Sequence, residues 1–383
     1  MKCNIKAIPI FLFLVVFIFL ISYGGQKAEW KGKIEYEDGI RVIKNSKEPL
    51  YSEFKFELEE DLSIGNDEDE NYMFYRATGL ALDSQKNIYV LDRRNYRIQK
   101  FDNKGKYLKT IGRRGQGPGE FMGPSRFQIE SRKENIFVLD FRSIKIFDKE
   151  GNYIRDIHLS KNLSDFFLVK EESILGRFST TDEKRRSILV IGVINIKGEM
   201  IRKVADFPVD FPVIDGVIHK AIHGYLSWPF ISQLDARTFV YGHSSDYELN
   251  IIDNTGSLLY KIRKDVSPQS LTNEERDHIR EIFPKEIQNR VPLPSHRPFF
   301  SSILSDGERI YVAAFKSPLE QRKEMKFHIF SKDGYYIYDT ALPFIPYLIK
   351  NGYIYTIISS EETGQVFVKR YKIKNWSQIK GGL

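Results

Sequence analysis

From residue 75 onward the apolar and polar positions follow one rhythm. Short runs of apolar residues, alternating with polar ones or standing together for a few positions, are separated by clusters of Gly, Asn, Asp and Ser, which is the pattern of β-strands joined by hairpins. The clearest copy spans Thr78 to Gly112. Within it Gly79-Leu80-Ala81-Leu82-Asp83 is followed by Asn87-Ile88-Tyr89-Val90-Leu91-Asp92, then Arg97 to Asp102, Gly105, and Tyr107 to Gly112. A second copy carries Phe127-Gln128-Ile129, Asn135 to Asp140, Ile144 to Asp148, Gly151 and Tyr153 to Ile157.

The turn glycines set the period. Gly105, Gly151, Gly198, Gly256 and Gly334 stand 46, 47, 58 and 78 residues apart, and the last interval falls to 48 once an inserted segment of 30 residues, 268–297, is set aside. Four strands repeated every forty-odd residues predict the blades of a β-propeller, units that bury both faces only when neighbours stack on them. Five blades follow from the glycines. A sixth, with Tyr347-Leu348-Ile349, Tyr353 to Ile357 and Val366 to Tyr371, ends one strand short. The alternating run Phe54-Lys55-Phe56-Glu57-Leu58 is the expected closing strand, leaving no open edge. Residues 25–50 read as an extension whose Ile34 to Val42 forms an Asp-Gly hairpin outside the ring. The fold expectation is therefore an all-β, six-bladed propeller over residues 51–383, interrupted by a short helical insertion.

The insertion begins with Thr272-Asn273-Glu274-Glu275, a capping box, and carries Leu271, Glu275, Ile279, Ile282 and Phe283 as a partly apolar stripe. A stiff stretch, Val291 to Pro298, follows with three prolines. Two roles stay open for the helix: a lid over the central opening, or a brace on the rim.

The segment Ile111-Gly112-Arg113-Arg114-Gly115-Gln116-Gly117-Pro118-Gly119-Glu120-Phe121, with Pro124 and its flanking strands, resembles the NHL repeat. The plan as a whole is similar to bacterial six-bladed propellers of that group. The resemblance implies the fold and leaves function open, because propellers host scaffolds, receptors, lyases and lactonases alike.

Composition adds the setting. Lys2 and Lys6 precede the apolar run Ile8 to Ile21, with small residues at Ser22, Gly24 and Gly25, which reads as an export signal over residues 1–24. Its 14 apolar positions are fewer than the roughly 18–20 of a spanning helix. A removed signal is the reading, and an uncleaved membrane anchor the alternative. The expected location is extracytoplasmic, periplasmic or secreted. The lone Cys3 lies before that run, so the remainder of the chain has no thiol for a disulfide, a nucleophile or a thiolate metal site. Removing Lys2 and Lys6 lowers the net charge from +7 to +5. With those charges interspersed, a nucleic-acid partner is not expected.

Candidate chemistry is sparse. The trio Asp92, Asn95 and Arg97 reads as loop-satisfying polar groups, and Gly115, Gly117 and Gly119 as turn residues rather than a phosphate cradle, since no helix start follows them. A propeller's ligand face is built from the loops between second and third strands and from the connections between blades. Those loops carry Arg93, Arg94, Tyr96, Arg113, Arg114 and Arg142, the candidate ligand-binding set, with Phe141, Lys184, Arg185, Arg186, Lys316, Arg322 and Lys323 nearby. Arginine beside aromatic rings suits carboxylates, phosphates and sugars. The acidic run Asp67 to Glu70 is expected on the same face and offsets part of that charge; it lacks the spacing that wraps calcium.

His219, His223, His243 and His296 fall in loops around the fourth and fifth blades, where three could meet at a zinc ion. That pattern resembles the zinc site of the peptide-amidating lyase, itself a propeller. The inner-strand starts near Thr78, Arg126, Asp165, Trp228, Ser301 and Tyr347 offer one carboxylate, too few for a lactonase-type ion, and no Gly-x-Ser-x-Gly is present. The expected function is a monomeric binding module for a peptide, glycan or protein partner, with no cofactor. A zinc-dependent lyase or hydrolase using the loop histidines is the alternative.

Overall fold

The structure is a computed structural model that describes residues 29–170, 173–183, 186–209, 213–214, 217–218, 224–321 and 324–382; the expected export signal lies outside the described residues. Six antiparallel sheets of four propeller strands stand in a ring. Blade 1 is built from Ala77–Leu82, Ile88–Asp92, Arg97–Phe101 and Tyr107–Ile111, counted from the axis outward. Blades 2 to 5 repeat that order from inner to outer strand: Pro124–Ile129 to Tyr153–His158, Asn162–Lys170 to Met200–Pro208, Pro229–Gln233 to Leu258–Lys264, and Phe300–Ser305 to Tyr336–Leu342. Blade 6 takes Leu348–Lys350, Tyr353–Ser359 and Val366–Ile373 from the C-terminal end and its outer strand, Leu58–Ile64, from the N-terminal side.

The ring therefore closes as expected, but through a different segment. Leu58–Ile64 pairs with the last strand in a register that sets Leu58 opposite Ile373 and Ile64 opposite Val368. Charge explains the choice: Glu60 meets Lys369 at 3.0 Å and Asp61 meets Arg370 at 2.9 Å, so an acidic strand lies on a basic one. Phe54 and Phe56, whose alternation suggested the strand, are buried as a wedge between blades 5 and 6, and the Phe54 N–H donates to Asp339 O at 2.7 Å. Alternation reported that those rings are buried, not what buries them.

The hairpin Lys33–Glu37 and Ile40–Asn45 is not a free appendage either. Its second strand pairs in parallel with the outer strand of blade 4, Ile43 opposite Ile262, giving a six-stranded sheet. Arg263 ties it down through both oxygens of Glu37 while also bonding Glu248. Residues 46–57 then cross the outer strand of blade 5, where Leu50 and Tyr51 donate backbone N–H groups to Tyr336 O and Ile337 O. One N-terminal segment thus braces blades 4, 5 and 6 in succession.

Period-two alternation builds the core. In blade 1, Ile88 and Val90 point toward blade 6 and join Ile64, Tyr355 and Val368, whereas Tyr89 and Leu91 point toward blade 2 and join Phe127, Val138 and Phe147. Equivalent clusters fill the other four interblade spaces. Second strands are consequently apolar on both faces, which is why Ile88–Asp92 is buried at all five positions.

The period glycines serve those interfaces. Gly151, at φ +79°, donates its N–H to Asp148 O to close the outer hairpin of blade 2. A Cβ there would come within 2.7 Å of Ile111 on the outer strand of blade 1. Glycine is needed twice over, for the left-handed turn and for the close approach of the preceding blade.

Asn273–Glu281 is the only α-helix among the described residues, and it opens with the expected capping box between Thr272 and Glu275. Leu271, Ile279 and Phe283 bury against Tyr225 and Phe315 from the loops of neighbouring blades, and Glu275 pairs with Arg297 at 2.9 Å. No residue of 268–297 lines the central channel, and these contacts fit the brace on the rim.

Candidate functional site: one loop face and the central channel

Antiparallel strands alternate direction, so the loops joining second to third strands and each outer strand to the next blade emerge on one face. That face is organised by a repeated polar device. Asp92, fully buried at the end of the second strand of blade 1, accepts the backbone N–H groups of Tyr75 and Arg76 and the Asn95 side chain at 2.7 Å. Asp140 does the same in blade 2, accepting from Met122 at 3.0 Å and Gly123 at 2.6 Å, and in blade 4 the Ser244 hydroxyl accepts from Trp228 N at 2.9 Å. Asp92, Asn95 and Arg97 are thus structural: each short polar group pins the chain as it enters an inner strand.

Pinning the backbone leaves the adjoining side chains pointing outward. Tyr75 is 58% exposed, Met122 51% and Phe141 67%. Arg94 lies over the Tyr75 ring at 4.6 Å and Arg114 over Tyr96 at 5.3 Å, pairing guanidinium planes with aromatic faces. Tyr96 is held in the left-handed region at φ +55°. Arg93, next to Arg94, and Arg142, next to Phe141, are exposed. Arg113 differs, because it binds Glu120 at 2.8 Å and so closes its own glycine-rich loop. Backbone N–H of Gly117 and the Arg113 side chain together hold the Glu120 carboxyl below its usual range.

The acidic run Asp67 to Glu70 lies in the connection from the outer strand of blade 6 to the inner strand of blade 1, where Arg97 donates to Glu70 O and Gln99 to Asn71 O. Arg186 pairs with Asp182 at 2.7 Å, and Lys184, Arg185, Arg322 and Lys323 lie outside the described residues.

Across the described residues twelve large apolar side chains are exposed. Six sit on outer strands or the added hairpin: Ile34, Tyr36, Leu108, Ile154, Ile201 and Leu259. The other six, Tyr75, Met122, Phe141, Leu319, Ile345 and Tyr347, are all on this loop face, and five of them belong to the consecutive blades 6, 1 and 2. The opposite face has none among the described residues. Sequence alone pointed to the arginines with Tyr96 and Phe141; Tyr75, Met122, Leu319 and Ile345 were missed, since exposure of one tyrosine or methionine leaves no mark on the pattern.

The loop histidines divide. His219 and His223 lie outside the described residues. His243 stacks on Phe207 with ring centroids 4.8 Å apart, its Nδ1 lies 2.7 Å from the Ser245 hydroxyl, and burial lowers its pKa. His296 Nε2 lies 3.3 Å from Ser245 O, so both histidines converge on the same serine. Among the described residues no three His, Cys, Asp or Glu side chains group as metal ligands.

The channel at the ring centre has a volume of about 830 Å³ and is lined by the inner strands of all six blades, including Thr78, Arg126, Asp165, Ser301 and Tyr347. Asp165 keeps 18% of its side chain open to the channel and lies 3.8 Å from Arg126 Nε. Burial among protein atoms raises the Asp165 pKa against the pull of Arg126 and Arg177, and lowers that of Arg177. Arg177, from the second strand of blade 3, reaches the channel wall and donates to Ser164 Oγ at 3.0 Å and Pro229 O at 2.6 Å. Its place was not legible in a plan that looked only at inner strands.

No helix among the described residues is long and apolar enough to cross a membrane. The family whose profile matches residues 81–381 is described as a domain of unknown function, DUF4934. In structure the chain is similar to a candidate exported protein of Bacteroides fragilis, with a TM-score of 0.51 and 11% identity over 87% of this chain and 99% of that one. A member of the DUF4221 family from Bacteroides vulgatus aligns with a TM-score of 0.49 and 14% identity, over 83% of this chain and 98% of that one. At these identities the likeness shows the fold alone. In sequence, 85 residues are 28% identical to the protein brain tumor of Drosophila melanogaster, a stretch covering 21% of this chain and 8% of that protein.

Proposed function

We propose that this chain, which belongs to the DUF4934 family, is an extracytoplasmic binding module of NHL-repeat type that docks a partner protein through the loop face of blades 6, 1 and 2. One observation carries the reading: five of the twelve exposed large apolar side chains belong to the loop face of those three blades, which also carries two arginine–tyrosine pairs, while the opposite face has none among the described residues. Exposed apolar side chains on a face that also carries arginines are the composition of an interaction site, and arginine and tyrosine dominate the energetics of such sites. The surplus of guanidinium groups favours a partner segment bearing carboxylates. The N-terminal Lys2, Lys6 and apolar run, and the lack of thiols thereafter, support placement outside the cytoplasm.

The reading is tested by capture. The protein, carrying either Arg94→Glu with Arg114→Glu on the loop face or Lys104→Glu with Lys149→Glu on the opposite face, is used to retrieve partners from its native envelope fraction. Loss confined to the first variant supports the reading, and loss confined to the second overturns it. Metal content of the purified protein is a separate check, because stoichiometric zinc would return the histidines to the centre of the argument.

A further inference from the structure

We propose that the central channel is a second binding site, for a small molecule with one carboxylate and an apolar body, the carboxylate held between Arg126 and Arg177. The channel volume, about 830 Å³, falls within the range of about 300–1,000 Å³ that small-molecule sites occupy. Its wall carries Leu80, Phe127, Phe167, Phe230 and Ile231 among polar residues from every blade, and its two guanidinium groups, Arg126 and Arg177, come from the adjoining blades 2 and 3.

Charge at that junction does not balance. Arg126 and Arg177 face the single carboxylate of Asp165, two positive groups against one negative. The Arg126–Asp165 contact of 3.8 Å is too long for a hydrogen bond, and Arg126 makes no side-chain hydrogen bond among the described residues. Five N–H donors on a half-exposed guanidinium are thereby left for something else. A half-exposed guanidinium in a cavity wall with no acceptor from the protein is open to an acceptor on a ligand.

The same arithmetic selects the ligand. One net positive charge is neutralised by a monoanion, whereas a dianionic phosphate would add repulsion against Asp165. A carboxylate also matches the flat fork of a guanidinium in two parallel bonds. At the far mouth Asp306 is already paired with Arg309 at 2.8 Å and Asp235 already accepts two backbone N–H groups, so neither demands a cationic ligand group.

Phenylacetate and its neutral analogue phenylacetamide, titrated calorimetrically into the protein, test the site. Phenylacetate should bind tighter than phenylacetamide by roughly tenfold or more, the size of one charge-assisted hydrogen bond. Arg126→Met should remove about that factor for phenylacetate and leave phenylacetamide unchanged. Arg126→Lys should fall between. Asp165→Asn should tighten phenylacetate binding, since it deletes the competing carboxylate, a gain that a purely structural role for Asp165 would not give. The variant Arg94→Glu with Arg114→Glu should bind phenylacetate as wild type does, which separates this site from the loop face. Equal affinity for the two probes, no binding of phenylacetate, or weaker binding after Asp165→Asn would overturn the proposal.

Discussion

The Asp92 carboxylate accepts the backbone N–H of Arg76 at 2.9 Å, joining the end of one strand to the chain about to enter the strand beside it. Because the same carboxylate also accepts from Tyr75 and Asn95 and is fully buried, its removal strands several donors at once. Asp92→Ala should therefore cost about 2–4 kcal/mol in urea denaturation. Asp92→Asn, which keeps an acceptor, should cost less. Equal losses for the two variants would show that the hydrogen bonds are not what matters.

Closure separates two truncations. A chain beginning at residue 66 lacks Leu58–Ile64 and the Phe54 and Phe56 wedge, so the basic edge of Val366–Ile373 and the apolar flank of blade 5 are bared. It should aggregate, as unpaired edges do. A chain beginning at residue 46 keeps the closing strand and should remain monomeric by light scattering, with lowered stability from the exposed flank of blade 4. Aggregation of both would assign closure to the hairpin instead.

Legibility followed the physics of each element. Period and turn chemistry are local, so the blades, the glycine hairpins and the Thr272–Glu275 cap were all readable from adjacent residues. Partner choice is not local. Nothing within Ile40–Asn45 states that it will pair in parallel with residues 219 positions later, and nothing in Phe54 and Phe56 distinguishes a strand face from a wedge. The candidate site shows the same division. Arg94 and Arg114 were visible as loop arginines, while their stacking on Tyr75 and Tyr96 depends on the three-dimensional loop paths, and Arg177 reaches the channel from a second strand.

Stability should also depend on pH through His328. Its Nδ1 lies 2.6 Å from the Tyr247 hydroxyl between blades 4 and 5, where burial, followed by Lys264 and Lys326, lowers its pKa to about 3. Asp339 stands 3.8 Å from Nε2 but is 44% exposed and already accepts from the Tyr336 hydroxyl, so it does not reverse the shift. The unfolded chain takes up this proton first. The contribution of neutral His328 is complete above the ordinary value of 6.5 and is lost as pH falls toward about 3. In that window stability should fall by about 1.4 kcal/mol per pH unit from this group. His328→Gln, compared with wild type by urea denaturation near neutrality and in mild acid, should show a shallower dependence. Parallel profiles would place the sensitivity elsewhere.

The loop face makes the sharpest demand, because binding and folding should separate there. Arg94 and Arg114 are stacked on the exposed Tyr75 and the half-buried Tyr96 rather than paired with carboxylates, so exchanging them removes at most about 1 kcal/mol of cation–π energy each. Melting should barely change. Toward a captured partner, however, Arg94→Glu with Arg114→Glu turns attraction into repulsion, and Arg94→Ala with Arg114→Ala only removes attraction, so the glutamate pair should lose more affinity. Added salt should weaken the wild type by screening and narrow its gap to the alanine pair. Tyr75→Ala should act differently, lowering affinity by about 2 kcal/mol or more with little salt dependence, as an apolar anchor does. If the partner binds all these variants equally at low salt, the arginine–tyrosine pairs are ordinary solvated surface and the docking site lies on another part of the ring.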